Sequence, residues 1–228
     1  MDLVETLRTT GAIRDFRDEP VPDEQLFRIL DTARFAPSGG NRQGWRVIVV
    51  RDAAIRASLR DIYLRAWYEY LAISAAGLVP WSPITDVDAE RRAVDSAADF
   101  AAAGKGRGGM AEQLDEVPVL LLVVCDLRSM ACVDRDLVRY TFAGGASVYP
   151  FVWSILLAAR AEGVGGVITS VAIHREPEVK ELFGLPDEYA VAALLAMGYP
   201  ERPITRLRRR PVGDFATVDR LDGPAFSG

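Results

Sequence analysis

The stretch APSGGNRQGWRVIVV, residues 36–50, joins a polar loop directly to a buried strand. The residues WRVIVV (45–50) are β-branched or aromatic apart from the arginine, and such a run predicts a strand. The loop before it combines glycines with serine, asparagine, arginine and glutamine. So many hydrogen-bonding groups with so little side-chain bulk make this loop a candidate for holding a ligand, although a Gly-Gly loop is also typical of an ordinary turn.

Outward from this stretch, predicted strands are separated by predicted helices. Further strands are predicted at 118–126, 167–170 and 189–200, and helices at 2–10, 22–36, 52–72, 88–103, 144–166 and 175–186. The strand PVLLLVVCD is too continuously apolar for either face to meet water. Strands separated by helices indicate an α/β sandwich of the α+β class. Neither a G-x-G-x-x-G after an early strand nor a P-loop is present, which argues against a Rossmann domain or a P-loop enzyme.

Composition narrows the class of protein further. The chain has 228 residues, half of them apolar, and a net charge of −5, which argues against general nucleic-acid binding. No run has the length of a membrane span or the pattern of a secretory signal, so we expect a cytoplasmic protein that does not bind membranes. The two cysteines, Cys125 and Cys132, suggest neither a zinc site nor a disulfide framework, in keeping with a reducing compartment.

Constellations for acid–base or nucleophilic catalysis are scarce, and although the chain has 32 acidic residues, no spacing singles out a catalytic pair of carboxylates. His174 is the only histidine, and its position before a predicted helix is typical of a surface or capping residue. A His and Cys metal site is excluded by shortage, so no metal is expected. An enzyme of this composition would therefore take its chemistry from an organic cofactor.

Three segments are candidates for holding such a cofactor. They are GAIRDF (11–16), which contains Arg14, the loop PSGGNRQGW (37–45) and the arginine run TRLRRRP (205–211). Guanidinium groups bind phosphate bidentately, which makes the run a phosphate candidate. Each segment also has an ordinary interpretation, as an ion-pair partner, a turn or a solvated face.

The order of these segments resembles the FMN-dependent nitroreductase family. The matching stretches are AIRDF (12–16), PVPDEQLFRILDTA (20–33), APSGGNRQGWRVIVV (36–50), YPFVWSILLAARAEGVGGVITS (149–170) and GYPERP…RRRPVGDF (198–215). The resemblance spans nearly the whole chain except about 60–115. It implies one nitroreductase-like domain over 1–228, with a central mixed β-sheet flanked by helices, in a domain-swapped homodimer. Residues of about 60–115 would form a lid or insert, and a C-terminal arm at about 205–228 would reach the partner subunit.

The resemblance also implies which residues hold FMN. Arg14 would lie at the pyrimidine side of the ring and stabilise the negative charge of the reduced flavin. Ser38 and Asn41 would offer polar atoms, Gly39 would let the backbone approach, and Gln43 would help fix the loop. Thr169 and Ser170 would contact the other edge of the ring, and Arg209, helped by Arg206 or Arg208, would bind the phosphate. No catalytic acid or base is expected.

Some positions depart from the family pattern. Thr10, Gly11 and Ala12 stand where the family usually has R-[RH]-[ST], so the first phosphate site is weakened. Thr10, the backbone amides or the C-terminal arginines are the candidates to compensate. Trp153 and Ser154 stand where the interface helix often carries Gln-Asn, and Q-G-W replaces the usual Q-P-W.

The activity implied by the resemblance is a ping-pong reduction. NADH or NADPH would reduce the flavin, and a small aromatic acceptor, nitroaromatic or quinone, would then take the electrons in the same pocket. Two alternatives stay open: a deiodinase-like or flavin-fragmenting enzyme of the same superfamily, and a non-catalytic flavin-binding protein. A deiodinase would need an acid and a lysine in the lid, where Lys105 is the only lysine.

Substrate choice is expected in the segment without a family match. Its aromatic residues would either cover a flat substrate or simply pack a peripheral helix, and Lys105 or Arg107 would meet a dinucleotide phosphate. These aromatic residues are Tyr63, Trp67, Tyr68, Tyr70 and Trp81.

Overall fold

A four-stranded antiparallel sheet in the order β1-β2-β4-β3 forms the centre of the molecule. The computed structural model describes residues 2–103 and 109–226 of the chain. The strands are β1 (Trp45–Val49), β2 (Val119–Asp126), β3 (Gly165–Thr169) and β4 (Tyr189–Gly198). β1 and β3 are therefore the two edges of the sheet, on opposite sides.

Seven α-helices in the described residues surround this sheet. They are α1 (Leu3–Thr9), α2 (Asp23–Ala33), α3 (Ala53–Ala75), α4 (Val87–Val94), α5 (Ala97–Ala102), α6 (Tyr149–Ala161) and α7 (Glu176–Phe183). Aspartates cap the helices α1, α3 and α4, because each carboxylate accepts hydrogen bonds from the first free backbone amides. Within the described residues no helix is both long and apolar enough to cross a membrane.

The two central strands are buried on both faces, as the apolar run of β2 predicted. Leu121 and Val123 of β2 belong to the core that includes α2 and α6, whereas Leu120 and Leu122 belong to the core that includes α3 and α7. β4 alternates in the same way between the two cores. Side chains alternate along a strand, so a strand covered by helices on both sides must be apolar throughout.

The predicted α+β fold, with a central sheet flanked by helices, is confirmed, and its strand directions can now be specified. All pairs among the four strands are antiparallel, so the mixed character expected of the sheet is confined, in the described residues, to the isolated parallel bridge Ala12–Gly166. That bridge places the segment before α2 against the edge strand β3.

Two predicted helices have different boundaries in the structure. The helix expected at 88–103 is two short helices, α4 and α5, separated by a turn. The helix expected at 144–166 begins only at Tyr149, with Pro150 in its first turn, and ends before β3. Proline is favoured there because it has no N–H to donate and the first turn needs none.

The C-terminal segment pairs with itself in the described residues. Thr217 and Ala225 form an antiparallel bridge, and Phe226 N donates to Ala216 O at 2.8 Å. Phe215 and Leu221 are 65% and 96% exposed. That this arm adds to a partner's sheet stays a prediction.

Arg56 of α3 fastens the helix to the end of β1 and to the segment before β2. Its Nη1 donates to Val50 O at 2.9 Å and its Nε donates to Asp115 O at 2.8 Å, while Nη2 donates to Val117 O. Arg60, one turn on, pairs with the Asp115 carboxylate at 2.6 Å. The segment 110–117 is thereby held against α3, and the two form walls of the cavity described below.

Asp134 closes the loop 134–143. Its carboxylate is buried and accepts hydrogen bonds from Phe142 N at 2.9 Å, Ala143 N at 3.2 Å and Arg139 Nη1 at 2.8 Å. The hydrogen bond from Phe142 N, helped by Arg139, lowers the pKa of Asp134 to about 2.

We expect Asp134→Asn to lower the thermal midpoint at neutral pH, because the amide cannot replace a carboxylate that binds two backbone N–H groups and an arginine. Because the pKa of Asp134 is lower in the folded protein than in the unfolded chain, where it is near 3.9, the ionised carboxylate stabilises the fold above that pH. This contribution is lost as the pH falls through about 2. The difference in thermal midpoint between the wild type and Asp134→Asn should therefore shrink as the pH falls from about 4 to about 2. Calorimetry across that range measures it, with Asp136→Asn, on an exposed side chain, as the control. A gap of constant size would contradict this account.

Candidate functional site

The segment that carries Arg14 lies against the edge of the sheet. Ile13 N donates to Gly166 O at 2.9 Å, and Arg17 N donates to Tyr199 O at 2.8 Å. A Cβ on Gly165 would lie 2.8 Å from Ile13 Cγ1, so only glycine lets the segment approach β3 this closely. Arg14 is thereby placed beside the end of β3.

Arg14 and the end of β3 share one cavity of about 360 Å³. Thr169 and Ser170 also line it, and their contact with a flavin ring stays a prediction. Its other walls come from α3 and from residues 109–112. Arg14 is exposed and forms no ion pair with any carboxylate of the described residues, so its charge is available to a ligand.

Tyr63 closes the inner end of this cavity. Its side chain is only 2% exposed, and its hydroxyl lies 3.0 Å from Thr169 Oγ1. Burial raises the pKa of Tyr63, with the Thr169 hydrogen bond and the charge of Arg14 acting in the opposite direction. The phenol is therefore protonated at neutral pH and holds Thr169 in place.

Four of the five aromatic residues expected in a lid form a chain of ring contacts with His174, in which Tyr70 and Trp81 meet at 54° and the other pairs are stacked. Ring centroids are 6.4 Å apart for Tyr63–Trp67, 5.2 Å for Trp67–Tyr70, 5.9 Å for Tyr70–Trp81 and 4.4 Å for Trp81–His174. Tyr63, Trp67 and Tyr70 line the cavity, and the outer rings pack on one another. The outer rings therefore have the packing role, and that the inner three cover a flat substrate stays a prediction. Lys105 and Arg107 lie outside the described residues.

His174 belongs to the outer end of this stack. It lies in the turn before α7, and its Nε2 is 3.0 Å from Glu69 Oε2. Arg175 also pairs with Glu69. This arrangement joins the turn before α7 to α3 and leaves the histidine outside the cavity, in keeping with its predicted structural role.

The arginine run lines a second cleft. Arg206 and Arg209 line a cavity of about 810 Å³ together with Arg8, Thr10 and Trp153. None of the three arginines forms an ion pair with a carboxylate of the described residues. Arg208 is not among the residues that line this cleft; it is exposed, and its carbonyl accepts a hydrogen bond from Arg209 Nη1 at 2.8 Å.

Arg160 of α6 holds the arginine run in place, and sequence analysis missed it. Its Nη2 donates to Ile204 O at 2.9 Å and its Nε donates to Thr9 Oγ1 at 3.2 Å. It therefore joins the end of α1 to the segment before Arg206. An arginine within the otherwise apolar helix ILLAARA was the one signal that could have found it.

Gly11 and Thr10, two of the positions that depart from the family pattern, both make structural contacts. A Cβ on Gly11 would lie 2.7 Å from Ile204 Cδ1 and 2.8 Å from Leu207 Cδ2, and these ends of flexible side chains would have to shift to admit it. Thr10 is buried, and its hydroxyl donates to Thr6 O at 2.8 Å. That proton is therefore engaged within α1 and the residue after it, and the arginines are the charged donors in this cleft.

The loop that precedes β1 is tied up by its own hydrogen bonds. Gln43 N donates to Ser38 Oγ at 3.0 Å, and Gln43 Nε2 donates to Asn41 Oδ1 at 3.1 Å. Gly39 N donates to Ser147 Oγ at 3.1 Å. Gly40, Asn41 and Gln43 all have positive φ, between 50° and 60°. Gln43 thus fixes the loop; contact of Ser38, Gly39 and Asn41 with a flavin stays a prediction.

The structure does not bring this loop to Arg14 within one chain. The loop enters β1 at one edge of the sheet, whereas Arg14 lies beside β3 at the other edge. Three strand spacings separate these edges, roughly 14 Å. The predicted site residues therefore form three groups: Arg14 with Thr169 and Ser170, Arg206 with Arg209, and the loop on the far edge.

The described residues contain neither a reactive thiol at Cys125 nor a cluster of metal ligands. Cys125 is buried, and burial raises the pKa of its thiol to about 11, so it is a poor nucleophile. Across residues 2–103 and 109–226, no three His, Cys, Asp or Glu side chains converge to hold a metal ion.

Comparison with known proteins gives consistent matches. The model of the nitroreductase family matches residues 7–199. An NADH dehydrogenase of Thermus thermophilus is 31% identical over 191 residues, which are 83% of this chain and 82% of the relative. A 5,6-dimethylbenzimidazole synthase of Rhodospirillum rubrum is 31% identical over 199 residues, 86% and 82% of the two chains. Among solved structures, oxidized iodotyrosine deiodinase bound to FMN and 3-iodo-L-tyrosine matches with a TM-score of 0.63 and 25% identity, covering 92% of this chain and 96% of that one.

We expect Arg160→Gln to release the segment 204–209 from α1, because two of the hydrogen bonds that hold it are lost. Trypsin should then cleave the arginine run several-fold faster, since the open population rises roughly tenfold for each 1.4 kcal/mol lost. Arg128→Gln removes an arginine that pairs with Asp126 elsewhere, and it serves as the control. Equal cleavage rates in the wild type and in Arg160→Gln would show that Arg160 does not hold the segment.

Proposed function

The chain belongs to the nitroreductase family, and on that premise we propose that it is an FMN-dependent oxidoreductase that takes hydride from NADH or NADPH and reduces nitroaromatic or quinone acceptors. The observation that carries the proposal is the pair of sites that the segment 10–14 connects. Unpaired arginines line the cleft at one end, and Arg14 faces an aromatic cavity at the other. A cofactor with a phosphate on one end and a flat ring on the other fits this arrangement.

The cleft suits the phosphate end. Arg8, Arg206 and Arg209 offer guanidinium donors, against two acids, Asp2 and Glu5, that also line the cleft. Asp2 is occupied as the cap of α1, because its Oδ1 accepts from Glu5 N at 2.9 Å. The balance of charge is positive, and arginine binds phosphate oxygens with paired N–H groups.

The cavity suits the ring end. FMN, when bound, supplies the redox chemistry that links NAD(P)H to an acceptor. Arg14 provides a fixed cation at the cavity wall, which favours negative charge developing beside it. Thr169 is held by Tyr63 and offers its hydroxyl oxygen at the same wall. The walls of Tyr63, Trp67 and Tyr70 accept a flat aromatic acceptor and exclude water from it.

A second copy of the chain would complete this site. The loop of Ser38, Gly39 and Asn41 lies on the far edge of the sheet, too distant to meet the ring held by Arg14 of the same chain. Large exposed apolar side chains suggest a buried interface, since monomers seldom expose so many. They include Leu137, Val138, Tyr140 and Phe142 near the loop and Phe215, Leu221 and Phe226 in the C-terminal arm.

The first test is the absorbance spectrum of the purified protein, before and after NADPH is added without oxygen. We expect flavin bands that bleach on addition and return with a nitroaromatic or a quinone. Bands that persist with both NADPH and NADH would indicate a flavin-binding protein without reductase activity. Absence of flavin after incubation with FMN would refute the proposal.

A matched pair of variants tests the phosphate site. Arg209→Gln should weaken FMN binding by roughly 10- to 100-fold, because it removes a charged hydrogen-bond donor. Arg210→Gln, next in the chain but outside the cleft, should leave the affinity unchanged. Quenching of FMN fluorescence on titration measures both dissociation constants. A larger loss of FMN affinity in Arg210→Gln than in Arg209→Gln would indicate that the phosphate binds outside this cleft.

Subunit complementation tests the shared site. A variant of the cleft, Arg209→Glu, and a variant of the loop, Asn41→Asp, should each lack activity as homodimers. In a random mixture of the two chains about half of the dimers are heterodimers, and one of the two sites in each heterodimer has a native cleft and a native loop. About one quarter of all sites are then native. Recovery of about that fraction of NADPH oxidation supports a site built from two chains. No recovery in confirmed heterodimers would mean that each chain forms its site alone.

A further inference from the structure

Glu112 is a polar residue of the cavity that nothing above explains. It lines the cavity opposite α3, and its Oε1 accepts a long hydrogen bond, 3.4 Å, from Tyr68 Oη. Its other oxygen, Oε2, is shielded from water and has no hydrogen-bond partner in the described part of the chain. Buried carboxylate oxygens are almost always paired, so an unpaired one beside a cavity indicates that a ligand supplies the donor.

A second unpaired group lines the same cavity. The indole Nε1 of Trp67 is buried and lacks an acceptor among the described residues. One unpaired acceptor and one unpaired donor therefore lie on the walls of a single cavity. A nitro or quinone oxygen would satisfy the indole N–H, whereas the Glu112 oxygen requires a donor.

The charges around the cavity also favour a ligand that brings a hydrogen-bond donor to Glu112. Arg14 is the one cation among the described residues that line it, and no ion pair joins Arg14 to Glu112. Among the described residues no ion pair neutralises Glu112, and three aromatic rings line the same cavity, where a charge lacking a partner is costly. A ligand that carries a cation or a strong donor gains most from binding here.

We propose that Glu112 determines specificity by selecting flat aromatic acceptors that carry an amine. This inference rests on the proposed function, since it names the class of acceptor that the same site takes. Glu112 accepts a hydrogen bond from the ammonium group, and the aromatic walls hold the ring. Arg14 does not favour acceptors with an anionic substituent at the Glu112 end of the cavity. The Glu112 carboxylate repels such a substituent at short range.

Three nitrobenzenes that differ only in the para substituent test the proposal: 4-nitrobenzylamine, 4-nitrobenzyl alcohol and 4-nitrobenzoate. Dissociation constants are measured on the oxidised, FMN-loaded protein without reductant, from changes in the flavin spectrum. We expect the amine to bind at least about tenfold more tightly than the alcohol, as hydrogen bonds between charged groups usually allow, and the benzoate to bind most weakly.

Substitution assigns this preference to the carboxylate. Glu112→Gln should bring the amine to within about threefold of the alcohol, because the neutral amide cannot pair with the ammonium charge. Glu116→Gln, on an exposed side chain one turn away, should keep the full preference. If Glu112→Gln does not fold, the wild-type series and Glu112→Asp decide the question.

The outcomes separate this inference from the proposed function. Equal affinities for the amine and the alcohol, tighter binding of the benzoate, or an unchanged preference in Glu112→Gln would overturn the role of Glu112. Reduction of the alcohol by NADPH would still support the proposed function in those cases. If the protein takes up no FMN, quenching of tryptophan emission by the three compounds tests Glu112 in the cofactor-free protein.

Discussion

Burial of the central strands on both faces is the constraint that positions everything else. β2 and β4 carry apolar side chains toward two separate cores, so helices must cover both sides of the sheet. Because helices cover both faces of the sheet, further segments of the chain can pair with it only along its two edges. The segment of Arg14 takes the edge at β3, and the polar loop enters at the edge of β1. The separation between Arg14 and the polar loop therefore follows from the burial of β2 and β4 at the centre of the sheet.

Long-range contacts of single side chains then hold these groups in place. Arg160 reaches from α6 to both the end of α1 and the segment before Arg206, while Arg56 fastens 115–117 to α3. Arg56 donates to three backbone carbonyls, and Arg160 donates to one carbonyl and one hydroxyl. The rigid fork of a guanidinium reaches such separated acceptors at once, whereas an ammonium group is a compact point charge. The cleft and the cavity are both bounded by segments without regular structure, so their shape depends on these arginines.

Prediction from the sequence succeeded where the signal is local. The strands were recognisable from contiguous apolar runs. It failed where the partners are distant in the chain. The role of Arg160 depends on Thr9 and Ile204, which are 151 and 44 residues away in the sequence. The unpaired oxygen of Glu112 has no sequence signal, because burial of a single atom depends on every neighbouring element.

The sequence by itself determined the family, the class of fold, the buried strands and the segments that carry polar and arginine-rich groups. All of these depend on residue type and on short spacing along the chain. Only the tertiary structure decided that the arginine cleft and the aromatic cavity lie along one edge of the sheet and the polar loop along the other. The order of strands in a sheet is set by packing between residues far apart in the chain, and no local pattern encodes which strand becomes an edge.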